Sequence, residues 1–138
     1  MSYLDTIRKD GRYANPFFCL MGIDLVTSEP GKAVLKMQVR PDMLNGVGWL
    51  QGGILVALAD EAMALAIYPM LAQGEGIATI SESTSFVKGT REGVIYAGGT
   101  VLKKGRRVAF AEGEVWMENG EKILLSRTTA AFAVTAQP

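Results

Sequence analysis

The run from Asn45 to Ala62, Asn-Gly-Val-Gly-Trp-Leu-Gln-Gly-Gly-Ile-Leu-Val-Ala-Leu-Ala-Asp-Glu-Ala, holds the side chains best suited to chemistry. Asp60 comes first. A carboxylate in an otherwise apolar stretch is costly to desolvate unless it is paired or functional. It can attack a carbonyl carbon directly or serve as general base for water; the competing account is a helix Asp held by solvent or a salt bridge. Glu61, one helical position on, is the fallback carboxylate, expected to face solvent or a cation. Gly52 and Gly53 stand where this run begins. Free N–H groups at a helix start, aided by the helix dipole, stabilise an oxyanion. Glycine also lets a substrate approach the backbone; the plainer account is a tight loop-to-helix turn. Asn45 and Gln51 carry amides that can orient a substrate or water, or bond within their own loop.

Composition narrows the chemistry. The 138 residues contain no histidine and one cysteine, Cys19. That excludes Ser-His-Asp and Cys-His catalysis and His-dependent dehydratases, and argues against a zinc site. No internal disulfide can form, which suits a reducing compartment. Neither a metal nor a redox cofactor is expected. Lys plus Arg and Asp plus Glu are 14 each, which argues against general attraction to nucleic acid or a membrane surface.

The spacing carries a further implication. Gly53 and Asp60 lie seven residues apart on nearly the same helix face, about 10 Å apart along the axis at about 1.5 Å per residue. One carbonyl cannot touch both ends of a single helix. Two such helices packed antiparallel across a two-fold axis bring the glycines of one to Asp60 of the other. Gly53, Ala57, Asp60 and Ala64 would form the shared face, with Leu55, Leu58, Ala62 and Leu65 on the opposite side against the subunit's own sheet.

The elements that must position these residues are readable. Ser2 caps a short helix ending near Gly11, and Asn15-Pro16 opens another closed by Gly22. A strand Ile23 to Thr27 and a turn at Glu29-Pro30-Gly31 follow. In the next strand Leu35, Met37 and Val39 alternate with Lys36, Gln38 and Arg40. After a loop from Pro41 to Gln51, Gly53 to about Tyr68 reads as a helix ended by Pro69, apolar almost all round and so buried. Four strands come next: Ile77 to Val87, Val94 to Lys103, Arg107 to Glu118 and Lys122 to Val134. They are expected to form a four-strand antiparallel meander, with turns at Lys104-Gly105 and Asn119-Gly120. A sheet wrapping the helix leaves one edge and the helix's open face for a second subunit.

Length, with 49% apolar and 20% charged residues, fits one domain over residues 1–138, with 1–22 as an N-terminal helical segment. The apolar stretch Ile54 to Met70, broken by Asp60 and Glu61, reads as short for a membrane span. Met1 to Asp10 lacks a signal-peptide pattern, so a cytoplasmic location is expected. Thr79 and Ser81 sit in a hydroxyl-rich strand. Lys103, Lys104, Arg106 and Arg107 surround a hairpin turn, where they suit phosphate groups or form a solvated charge run. Trp49, Met63 and Tyr68 read as packing residues that can also line an apolar tunnel.

Asn45, Gly52, Gly53 and Asp60, with Leu58-Ala59-Asp60, resemble the pattern of hotdog-fold acyl-CoA thioesterases of the phenylacetate-degradation (PaaI-like) type. The resemblance runs from about Phe17 to Val134. It implies an α+β hotdog fold, a curved antiparallel sheet around a long central helix. It also implies hydrolysis of acyl-CoA to a carboxylic acid and free CoA, with coenzyme A entering as part of the substrate. Further implications are a site shared between subunits of a homodimer or homotetramer, Gly52 as the likelier oxyanion donor, a hydroxyl near Thr79 in the site wall, and CoA phosphates near the Lys103–Arg107 turn. Gln51 departs from the family's usual His and cannot titrate near neutral pH. A non-catalytic acyl-CoA-binding or regulatory module is the alternative.

Overall fold

The computed structural model describes residues 2–136. Helix α1 (Tyr3–Asp10) opens with a capping box in which the Asp5 N–H donates to Ser2 Oγ at 3.2 Å. Helix α2 (Pro16–Met21) follows a 3-10 turn. Its Asn15 cap accepts from the N–H groups of Phe17 and Phe18 at 2.9 and 3.3 Å, and Gly22, at φ 75°, closes it. Strands β1 (Ile23–Glu29) and β2 (Lys32–Gln38) form a hairpin. The central helix α3 (Gly52–Ile67) begins one residue earlier than expected and ends in a 3-10 turn carrying Pro69. Strands β3 (Glu75–Phe86), β4 (Val94–Lys104), β5 (Val108–Glu118) and β6 (Lys122–Ala136) complete the chain.

The sheet is antiparallel in the order β1-β2-β4-β5-β6-β3. Only β4, β5 and β6 form a meander, so the expected four-strand meander is corrected. The seven-residue link 87–93 has no two-residue turn chemistry. It carries the chain from one edge to the middle, where β4 pairs with β2 and leaves β3 to pair with β6.

Helix α3 lies on one face of this sheet, in the hotdog arrangement. Leu55, Leu58, Ala59, Ala62, Met63, Leu65 and Ala66 are buried, whereas Gly53, Ala57, Asp60 and Ala64 are exposed or half-buried. The helix therefore has the two faces expected from the sequence and is not enclosed all round. The 19 residues Gly52–Met70, of mean hydropathy 1.5, are long and apolar enough to cross a membrane by length and composition alone, so the stretch is not too short for one. Here it is the core helix.

Close approach of helix to sheet depends on small residues. Gly99 of β4 pairs with Gly113 of β5. A Cβ at Gly99 would fall 2.6 Å from the backbone nitrogen of Met63, and one at Gly113 would meet Ala59 Cβ at 3.2 Å. Two glycines on the sheet and two alanines on the helix thus set how near α3 sits, and with it the position of Asp60.

Candidate active site

Strand β3 runs along the open flank of α3, and a bulge decides which of its side chains face the helix. In the ladder with β6, Thr79 pairs with Phe132 and Ser81 with Ala131, so Ile80 is the unpaired extra residue. Residues three apart on a regular strand point to opposite faces. The inserted residue cancels that parity. Thr79, opposite Phe132, and Glu82, opposite Ala130, therefore share a face with two buried β6 side chains. Ile80 is turned outward and 57% exposed.

Asp60 receives this pair. Thr79 Oγ1 donates to Asp60 Oδ1 at 3.0 Å, and the Glu82 carboxyl, on the same face of β3, neighbours Asp60. Burial, then the hydrogen bond and negative charge of Asp60, push Glu82 up to about 8. Glu61 is likewise pushed up to about 7, by burial first and Asp60 second. It borders a cavity of about 320 Å³ with Asp60, Thr79, Tyr3, Asn15 and Tyr68. The expectation that Glu61 faces solvent or a cation is thus corrected. The N-terminal segment folds over this flank, with Asn15 Nδ2 donating to Tyr3 Oη at 2.8 Å and Tyr3 packed edge-on to Tyr68. Among the described residues, no ion pair involves Asp60, Glu61 or Glu82. Also among them, no group of three or more His, Cys, Asp or Glu is arranged to hold a metal.

The other expected residues gather at the start of α3. The loop is pinned by a bridge between Leu44 and Leu50. Asn45 Oδ1 accepts from the N–H groups of Val47 and Trp49 at 3.0 and 3.1 Å, so its oxygen closes the loop and only its NH₂ is left for other work. Gln51 caps the helix, its Oε1 accepting from the Gly52 N–H at 2.9 Å. The Gly53 N–H has no acceptor among the described residues. Phe86 stands over Gly52, 3.1 Å from where a Cβ would be. Eight residues separate Gly52 from Asp60, about 12 Å along the helix.

Two expected groups stand apart from Asp60. Ser81 pairs with Ala131 on the outer face of β3 and is exposed. Lys103, Lys104, Arg106 and Arg107 lie around the β4–β5 turn, where Lys104 Nζ is 3.7 Å from Glu75 Oε1 at the start of β3. Glu82 was not singled out from the sequence. Its signal was a lone acid in a hydroxyl-rich strand, but facing Asp60 depends on a bulge that periodicity does not announce.

Known proteins bear on this geometry. Residues 48–124 match the family model described as the thioesterase superfamily. A 1,4-dihydroxy-2-naphthoyl-CoA hydrolase of Listeria monocytogenes is 24% identical over 111 residues, covering 80% of this chain and 90% of that protein. The acyl-coenzyme A thioesterase PaaI of Escherichia coli is 36% identical over 63 residues, 46% of this chain and 41% of that one. A thioesterase family protein from Silicibacter pomeroyi superposes with a TM-score of 0.87 at 21% identity, covering 99% of this chain and all of that one, which shows a shared fold. The family match spans more than half of the chain and includes the glycine pair, Asp60 and the bulged strand: the chain belongs to the thioesterase superfamily and is a thioester hydrolase.

Proposed function

We propose that the chain hydrolyses acyl-CoA thioesters, with Asp60 as the working carboxylate and the start of a second subunit's α3 as the oxyanion site. The observation that carries this reading is Asp60 itself. It lies on the half-buried flank of the core helix, held by Thr79 and bordering a cavity, with no cation paired to it among the described residues. The relatives whose names specify acyl-CoA substrates supply the substrate class.

The chemistry needs an electrophile polarised at oxygen and attacked at carbon. The thioester oxygen sits at the open Gly53 N–H and at the Gly52 N–H once the Gln51 side chain swings off it, where the helix dipole favours developing negative charge. The Asp60 carboxylate then works from the other side. It attacks the carbonyl carbon to give an anhydride that water opens, or it takes a proton from the attacking water; both routes expel the CoA thiolate. No step draws on a metal or redox group.

Glycines and carboxylate lie too far apart in one chain, so the site is completed by a second copy. The small residues Gly53, exposed, and Ala57 and Ala64, half-buried, permit close helix contact. The free edge of β3, with exposed Ile80 and Phe86 and with Val87 just after it, offers the backbone and apolar surface for association. We place the enzyme, as one domain and a homo-oligomer, in a reducing cytoplasmic setting on the strength of its lone unpaired Cys19. The basic Lys103–Arg107 turn is the surface proposed for the CoA phosphates.

Release of free thiol from a panel of aromatic and aliphatic acyl-CoAs tests the substrate class. At least one member is expected to turn over with kcat/KM of about 10⁴ M⁻¹s⁻¹ or more. A panel with no turnover, beside a positive thioester that lacks CoA, overturns the assignment to CoA esters.

A further inference from the structure

The Asp60 carboxylate has a second acid as neighbour, one that the reaction as described leaves unused. Glu82 reaches Asp60 from the same bulged strand as Thr79. Without the extra residue Ile80, Glu82 and Thr79 would point to opposite faces and one of them would lose Asp60. Two ionised carboxylates only accept hydrogen bonds, so their approach is a hydrogen bond only when one carries a proton. A buried oxygen, Glu82 Oε2, has no donor among the described residues. Among the described residues, the groups facing the pair supply no compensating charge. Glu61 on α3 is a third acid. Tyr3 of α1, and Tyr68 beyond the end of α3, are neutral phenols held up by burial. The helix-side residues of β6 opposite β3 here are Thr128, Ala130 and Phe132.

We propose that Glu82 is the positioning residue of Asp60: the two carboxyls share one proton, and with Thr79 they fix the carboxylate in its working orientation. The inference rests on Asp60 as the working group of a thioester hydrolase. In the monoanionic pair, Glu82 O–H donates to one Asp60 oxygen while Thr79 O–H donates to Oδ1, leaving the remaining lone pairs for the thioester carbon or water. Loss of the shared proton places two anions side by side, breaks the grip and turns the pair inactive. Glu82, raised by burial and by its neighbour Asp60, gives up that proton at about 8. A chain without histidine thereby acquires a group that titrates near neutral pH beside its carboxylate.

The test is the pH dependence of kcat/KM on any accepted acyl-CoA for wild type, Glu82→Gln and Glu82→Leu, with Asp60→Asn as control. Wild type is expected to lose activity on an alkaline limb with a midpoint near 8. Glu82→Gln keeps a donor toward Asp60 but cannot titrate; it is expected to stay within about 5-fold of wild type at neutral pH and to lose that limb. Glu82→Leu removes the donor and is expected to lower kcat about 10- to 100-fold with KM little changed. An alkaline limb that persists unshifted in Glu82→Gln overturns the proposal. If Asp60→Asn retains wild-type turnover, the reading of Asp60 fails instead, which separates the two. Carboxyl ¹³C titration of the wild-type protein needs no substrate. A Glu82 resonance titrating near 8 that moves down in Asp60→Asn supports the shared proton, and one titrating at an ordinary carboxylate value excludes it.

Discussion

Replacing Asp60 with Asn is expected to lower thioester hydrolysis by about 10²- to 10⁴-fold or more, because it removes the base or nucleophile while keeping shape and volume. The loss should fall on kcat, with KM nearly unchanged, since the group acts on the reacting carbon rather than on the bulk of the substrate. Stability should move the other way. Burial first, and then the negative charge of Asp60, raise Glu61 and Glu82. Removal of that charge relieves the repulsion wherever those acids would ionise. At pH 8 and above, Asp60→Asn should therefore melt at the same temperature as wild type or higher. A structural carboxylate would show the reverse, an intact rate and a lower melting point. Thiol release and a thermal melt on the same two samples distinguish the cases.

The largest expected effect on folding is at Gly99. An alanine there would put its Cβ onto the backbone of Ala62 and Met63, atoms that move only if the whole helix moves. Overpacking of a core usually costs about 1–3 kcal/mol, and a clash with helix backbone belongs at or above the top of that range. Gly99→Ala is expected to unfold in denaturant at a clearly lower midpoint or to fail to accumulate as folded protein. Gly98→Ala is the matched control. Its Cβ would meet the Trp116 ring on the outer face of the sheet, and a side chain can shift. Denaturant titration of the pair should show Gly98→Ala near wild type. Equal destabilisation of both variants would mean that the glycines matter for strand flexibility rather than for seating the helix.

How much of this was legible in the sequence depends on the range of the signal. The caps at Ser2 and Asn15, the stop at Pro69 and the turn at Asn119-Gly120 are local chemistry, and each lies where its residue type demands. The two faces of α3 follow from 3.6-residue periodicity. The position of β3 did not follow, because neighbouring strands in sequence are not obliged to pair, and the link 87–93 is long enough to cross the sheet. Glu61 and Glu82 show the same limit on the scale of a side chain. Glu61 adjoins an apolar face, but whether it meets solvent depends on the N-terminal segment folding over it. Glu82 reaches Asp60 only because Ile80 is looped out of the ladder. Gly99 did carry a readable mark, since glycine inside a strand signals close approach of another backbone. Which backbone approached was a tertiary matter.

Gln51 is where sequence and structure are most informative together. As a glutamine it cannot play the part of an imidazole, and in the structure its side chain caps the amide that an oxyanion would use. In the proposed mechanism it covers that donor until a substrate displaces it, and proton chemistry falls to the carboxylates half a helix away.

Each proposed site is built from the Asp60 of one subunit and the α3 start of another. Complementation in mixed oligomers tests this arrangement most directly, using Asp60→Asn in one chain and Gly52→Pro in the other. Proline removes the Gly52 N–H and is tolerated at the first position of a helix, and Gln51 already has extended backbone, φ −59° and ψ 127°. Each variant alone should be impaired by about 10²-fold or more. In heterodimers purified through two different tags, one of the two sites has both its Asp60 and its Gly52 intact. Thiol release should then return to about half the wild-type rate per dimer, as two-fold symmetry requires. Heterodimers no more active than the single variants would contradict a site shared between subunits.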